Sequence, residues 1–251
     1  MTQTTQDEAG RRGTCLIIGA GDGVGSAAAR AFATQGYTVC VTRRPRHADA
    51  LRALAGRIND SGGRAVALPS DARDEAEVTA LFDAVEAHGP LQVCLFNIGA
   101  NVRFTVLDTT ARVYTKVWEM AAFAGFLAGR EAARRMVPRG QGTMLFTGAT
   151  ASLRGRDGFS AFAGAKHALR ALAQSMAREL GPQGIHVAHV IVDGLIDGSF
   201  ARANFPDIDA RLAAGEVLDP AEIAKSFVFL TQQHRCAWTH EMDLRPWKES
   251  F

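Results

Sequence analysis

Six short, almost continuously apolar runs punctuate the chain, at 15–18 (CLII), 38–41 (TVCV), 65–68 (AVAL), 93–96 (VCLF), 143–146 (TMLF) and 187–192 (VAHVIV). Runs of this kind belong to strands covered on both faces. Between them lie segments whose apolar residues recur at three and four: Ala28, Ala31 and Phe32; Val78, Leu81, Phe82 and Val85; Leu169, Leu172, Met176 and Leu180. That is the spacing of a helix with one buried stripe. Strand and helix in alternation predict an α/β chain with a doubly wound parallel sheet of about seven strands and helices on both faces.

At 251 residues with 47% apolar side chains, such a sheet can bury a full core, and no composition shift marks a boundary. One domain over 1–251 is expected. The loosest stretch, 195–219, is expected to form a flap over a pocket. With 28 basic and 26 acidic residues the net charge is +2, which argues against a nucleic-acid binder, since that needs a basic surface. The cluster Arg43-Arg44-Pro45-Arg46 therefore needs a local explanation. The uncharged apolar run 120–129 is about half of a membrane span, and the polar start 1–12 is unlike a signal sequence. A cytoplasmic location and no membrane partner are expected. Cys15, Cys40, Cys94 and Cys236 are far apart with no CxxC pair, so they read as buried thiols and imply no metal or disulfide framework.

Directly after the first run comes Gly19-Ala-Gly-Asp-Gly23-Val-Gly25, and directly after that an Ala-rich helix. Free N–H groups and the positive helix end at such a turn can hold a pyrophosphate, while missing side chains let it approach closely. The spacing is GxxxGxG, and here the chain resembles the short-chain dehydrogenase/reductase family, whose fold is Rossmann-like. Further matches run over nearly the whole length. Asp71 and Ala72 follow the third strand, where the family contacts adenine; Phe96-Asn97-Ile98-Gly99 matches its Asn-Asn-Ala-Gly; and Phe162-Ala-Gly-Ala-Lys166 falls on its Tyr-x-x-x-Lys. Asp193-Gly194 stands where Pro-Gly closes strand six, with Ile196 just beyond. The resemblance implies a nicotinamide cofactor held by Gly19, Gly23, Gly25, Arg43, Arg44, Asp71, Ala72, Asn97, Gly99, Lys166, Gly194 and Ile196. Thr42 occupies the place of the acid that would accept the ribose hydroxyls of NAD, and two guanidinium groups follow it. That favours NADP(H) over NAD(H), because a charge-assisted fork suits a 2′-phosphate. Asp22, inside the glycine loop, argues the other way.

The catalytic pattern of the family fails at three of its four positions. The resemblance implies a Tyr that moves the proton, a Lys that lowers its pKa and holds the ribose, a Ser that orients the substrate and an Asn that props a water. Only Lys166 survives: Phe162 stands at the Tyr, Ala149 at the Ser and Ala121 at the Asn, with Ala122 the choice if the alignment shifts by one. Phenylalanine cannot act as acid or base at any pH. Composition agrees, since the chain has only Tyr37 and Tyr114. Thr150, next to Ala149, can hydrogen-bond a substrate oxygen but is a poor acid. His167 lies one helical step from Lys166 and is expected at the surface. Arg154, Arg156 and Asp157 read as solvated loop charges, and His189 as a core imidazole.

Three readings follow. One is an NADP(H)-dependent oxidoreductase acting on a small apolar carbonyl, imine or activated C=C. A second is a catalytically silent NADP(H)-binding sensor or partner subunit. The third is a non-redox lyase or isomerase on the same fold. The run 120–127 and the helix 162–180 read as too apolar for exposed faces, so a homodimer or homotetramer is expected. The segment 238–247, rich in aromatics and charges, is expected to pack at a subunit interface or reach a neighbouring pocket.

Overall fold

A computed structural model describes residues 12–249. Its strands are β1 (Thr14–Ile18), β2 (Thr38–Thr42), β3 (Arg64–Ala67), β4 (Leu91–Phe96), β5 (Gly142–Thr147), β6 (Ile185–Val192) and β7 (Glu241–Leu244). All pair in parallel, in the order β3-β2-β1-β4-β5-β6-β7. The helices are α1 (Val24–Thr34), α2 (Ala48–Asp60), α3 (Glu75–Glu86), α4 (Ala111–Trp118), α5 (Ala124–Met136), α6 (Ser160–Leu180), α7 (Ser199–Asn204), α8 (Ile208–Ala213) and α9 (Pro220–Thr231).

Alternate residues of β1 feed two cores. Cys15 and Ile17 pack with Phe32 of α1, Leu51 and Leu54 of α2, and Phe227 of α9. Leu16 and Ile18 pack with Val78 and Phe82 of α3, Leu127 of α5 and Leu169 of α6. Both faces of the strand are apolar because helices cover both. Strand order reverses between β1 and β4, so their carboxyl ends open a crevice of the kind in which doubly wound sheets bind ligands.

Side chains cap three of the helix starts among the described residues. Asp74, Thr110 and Asp219 cap α3, α4 and α9 by accepting from the N–H groups of Glu77, Val113 and Ala221. These bonds satisfy orphan donors of the first turn. No side-chain bond caps α1, which begins after Gly23 and has no acid in its first turn. A π-helical turn, Glu119–Phe123, joins α4 to α5.

The segments singled out in the sequence take definite forms. The segment 238–247 supplies β7, which joins the sheet beside β6, and Trp238 stacks on His186 with centroids 4.9 Å apart. It belongs to the chain's own sheet. The stretch 195–219 contains α7 and α8 around a small core of Ala201, Ile208 and Val217, and is bridged by Ile196 and Leu218. In the run 120–127 most apolar side chains are internal, Ala124 and Leu127 among them; Phe126, stacked on Phe123, is exposed, as is the neighbouring Trp118. Cys15, Cys40 and Cys94 are buried as expected, but Cys236 is exposed because it lies outside the sheet.

Candidate active site

A cavity of about 680 Å³ lies over the carboxyl ends of the central strands. All twelve residues expected around a dinucleotide line it: the glycines of the turn, Arg43, Arg44, Asp71, Ala72, Asn97, Gly99, Lys166, Gly194 and Ile196. Local geometry explains the turn. Gly19 has φ +95°, and a Cβ there would meet the Asn97 carbonyl at 2.6 Å. A Cβ on Gly25 would run into the Gly19 carbonyl and lie 2.7 Å from Cα of Ala20. Gly21 has open space where a side chain would be. Asn97 clamps the turn from β4, its side-chain N–H donating to the Gly19 carbonyl at 3.2 Å.

The residues fit a nicotinamide dinucleotide. The uncapped start of α1 leaves main-chain N–H groups free for an anion. Arg43, Arg44 and Arg73 line the cavity from the loops after β2 and β3. Burial, and then the charges of Arg46 and Arg73, lower the proton affinity of Arg44. Such crowding of cations is relieved by an anion. Asp71 pairs with Arg73, which donates from Nε at 2.9 Å and holds the carboxyl below its usual range. Asp22 is engaged too: the Ser199 hydroxyl, from the segment above the cavity, lowers its pKa most. Thr42 is buried at the end of β2 with Oγ1 unpartnered, and offers no carboxylate to a ribose.

Lys166 projects from α6 into this cavity and is 2% exposed. Its Nζ donates to the carbonyls of Thr147 at 2.8 Å and Ile98 at 3.0 Å. Burial lowers its pKa to about 7. One turn earlier Phe162 lines the cavity, its ring centroid 5.9 Å from Lys166 Nζ. Ala149 and Thr150, which follow β5, line it as well. Ala121 does not: it is fully buried in the cluster that includes Phe162, and Met120 reaches the cavity from the π-helical turn.

The other candidates divide. Tyr37 is buried against Phe32, and the Tyr114 hydroxyl lies over the backbone of Gly164, outside the cavity lining. His167 is exposed, its ring bonded to the Ala163 carbonyl. His189 is fully buried, its Nδ1 3.0 Å from a Glu241 oxygen, and burial lowers its pKa to about 4. Asp157 is an exposed loop charge. Arg154 and Arg156 both line the cavity, Arg154 partly buried and Arg156 exposed. Asp193, which the family pattern singled out only as a departure, is 1% exposed and accepts a hydrogen bond from Thr150.

The sequence pattern of the family described as enoyl-(acyl carrier protein) reductase matches residues 19–241, which take in the glycine turn, the lysine helix and the start of β7. The chain belongs to the short-chain dehydrogenase/reductase family. A solved short-chain dehydrogenase from Rhodopseudomonas palustris is 50% identical, with a TM-score of 0.80 over 94% of this chain and 99% of that one. A cyclic-di-GMP-binding biofilm dispersal mediator protein from Escherichia coli is 32% identical over 220 residues, 86% of this chain and 88% of its own length. A 3-oxoacyl-[acyl-carrier-protein] reductase, MabA, from Mycobacterium tuberculosis is 29% identical over 87% of this chain and 85% of its own. Members of this dehydrogenase/reductase family bind a nicotinamide cofactor, and its oxidoreductases act on small molecules. Among the described residues no helix is long and apolar enough to cross a membrane, and no group of three or more His, Cys, Asp or Glu could hold a metal ion.

Proposed function

We propose that this protein is an NADP(H)-dependent oxidoreductase for a small substrate whose reaction needs no phenolic acid. The observation that carries this reading is a single cavity lined by the glycine turn, Arg43 and Arg44, and Lys166, yet also by Phe162 and Ala149. The binding half is complete and the acid–base half is apolar.

The nicotinamide, when bound, supplies or accepts a hydride. The chain's own residues do the rest. The turn and the start of α1 hold the pyrophosphate, Arg43 and Arg44 receive the 2′-phosphate, and Lys166 reaches the nicotinamide ribose. Phe162 excludes water from the reacting face and gives no proton. General acid help is worth roughly 10²–10⁴ in rate, so a simple ketone is a poor substrate, whereas an imine or activated C=C can react through positioning alone. The reading also makes the protein a homodimer or homotetramer, with the stacked Trp118, Phe123 and Phe126 on the face between copies.

Nucleotide titration followed by fluorescence tests the cofactor half. Wild type should bind NADPH more tightly than NADH, and Arg43→Asp should weaken NADPH by roughly 10- to 100-fold, the worth of one to two charge-assisted hydrogen bonds. NADH binding should change little. An equal effect on both overturns the NADP(H) assignment.

A further inference from the structure

Beside the alanine that replaces the family's serine stands a hydroxyl with an unusual commitment. Thr150 lines the cavity, and its Oγ1–H donates to Oδ1 of Asp193. Asp193 follows β6 directly and is buried. Its Oδ2 faces the guanidinium groups of Arg154 at 3.7 Å and Arg245 at 3.8 Å, which balance a carboxylate there. A carboxylate has no proton to offer, so the hydroxyl must be the donor of this pair. Thr150 then has no proton left for a ligand and presents only lone pairs to the cavity.

This orientation sorts the substrate classes left open above. A ketone or enone oxygen is an acceptor and meets Thr150 lone pair against lone pair. An alcohol has the right donor, but its oxidation must pass the O–H proton to a base, and at the position where the family has one stands Phe162. A protonated imine satisfies both conditions: its N–H is a donor, and its carbon is electrophilic before any acid acts on it.

We propose that Thr150, held by Asp193, selects a protonated imine as the substrate of this site, through a hydrogen bond from the iminium N–H to Thr150 Oγ1. The proposal rests on the oxidoreductase reading above. The iminium carbon gains a hydride from the reduced dinucleotide, which leaves oxidised. The C=N π pair moves onto nitrogen, and the nitrogen keeps its proton and leaves as a neutral amine. No proton is transferred during the step, so the missing phenol costs nothing. Toward a cation the Phe162 ring offers its π face, and the charge on Lys166 is disfavoured by burial. Thr150 is the specificity residue, and Asp193 a positioning residue acting through it.

The test uses the full chain with NADPH and three substrates: 1-pyrroline at a pH where its nitrogen is protonated, the N-methyl-1-pyrrolinium salt, and cyclopentanone. The two iminium ions share charge and ring, but only the first carries N–H. Wild type should favour it by about tenfold in kcat/KM, the worth of one hydrogen bond to a charged group. Thr150→Val should erase the preference and Thr150→Ser restore it. Asp193→Asn, whose amide can donate to Thr150 and release the threonine proton, should shift the ratio toward cyclopentanone. Calorimetric titration with pyrrolidinium gives a readout independent of turnover, and its affinity should fall about tenfold in Thr150→Val. Equal rates for the two iminium ions, a preference for the ketone, or a pyrrolidinium affinity indifferent to Thr150→Val overturns the proposal while the oxidoreductase reading stands. Tight nucleotide binding with no NADPH consumed in any arm overturns both.

Discussion

Lys166 shows most clearly what individual residues contribute. Its four-residue distance from Phe162 places both on one side of α6, so both face the cavity. The pKa of about 7 imposed by burial, against an ordinary 10.5, has a consequence for stability. The unfolded lysine binds a proton between those values and the folded one does not, so stability rises with pH above about 7. The buried thiols of Cys40 and Cys94, pushed up to about 12 from 9.0, act in the opposite sense: above about pH 9 the unfolded thiols release protons that the folded ones keep. The melting temperature of the nucleotide-free protein should therefore climb from pH 7 toward 9 and fall beyond it. Lys166→Met should flatten the climb and leave the fall; thermal melts across that range check it, and an unchanged climb contradicts the role of burial. The glycines, Lys166 and the residues at Phe162 and Ala149 could be read from spacing, because each lies in one short segment. The Thr150–Asp193 pair could not be. The two residues are 43 apart in sequence, and they meet because β5 pairs with β6 as far as Thr147 and Val190, which brings the loops after both strands together.

Among the elements, the strands that announced themselves were those that carry an apolar run. β7 did not: its four residues, Glu-Met-Asp-Leu, sit at the sheet edge, none is fully buried, and they carry no apolar run. Polar contacts hold it instead. Arg170 of α6 donates twice to Glu241, both at 2.7 Å, and the same carboxylate meets His189 of β6. The Arg170 hydrogen bond is the main reason the Glu241 pKa lies below its ordinary value. Glu241→Gln keeps the shape and removes the charge. It should cost about 1–2 kcal/mol, since the pair is partly exposed and screened, and lower the melting temperature by roughly 2–8 °C for a chain of this size. A change under about 1 °C by calorimetry would show that β7 is held by Trp238 and the main-chain ladder alone. The π-helical turn was equally hidden. It explains why Met120, rather than Ala121 at the aligned position, reaches the cavity.

At the scale of the whole molecule, one crevice above the strand ends collects nearly every residue with chemical potential. Both the doubly wound fold and the glycine turn that lines the crevice were readable in advance, because they rest on period, turn chemistry and local spacing. What the crevice does to a substrate depended on residues from β5, β6, the loop before α6 and the segment above the cavity, which only the folded sheet brings together. The central claim is that nucleotide binding is intact while the acid–base apparatus is absent. Its most direct test compares wild type with Phe162→Tyr combined with Ala149→Ser for NADPH affinity and for reduction of a simple cyclic ketone. The account predicts NADPH affinity unchanged within about twofold and a ketone rate that rises at least tenfold in the double variant, out of the roughly 10²–10⁴ a positioned acid can supply. Wild type that already reduces the ketone as fast as the double variant would contradict it.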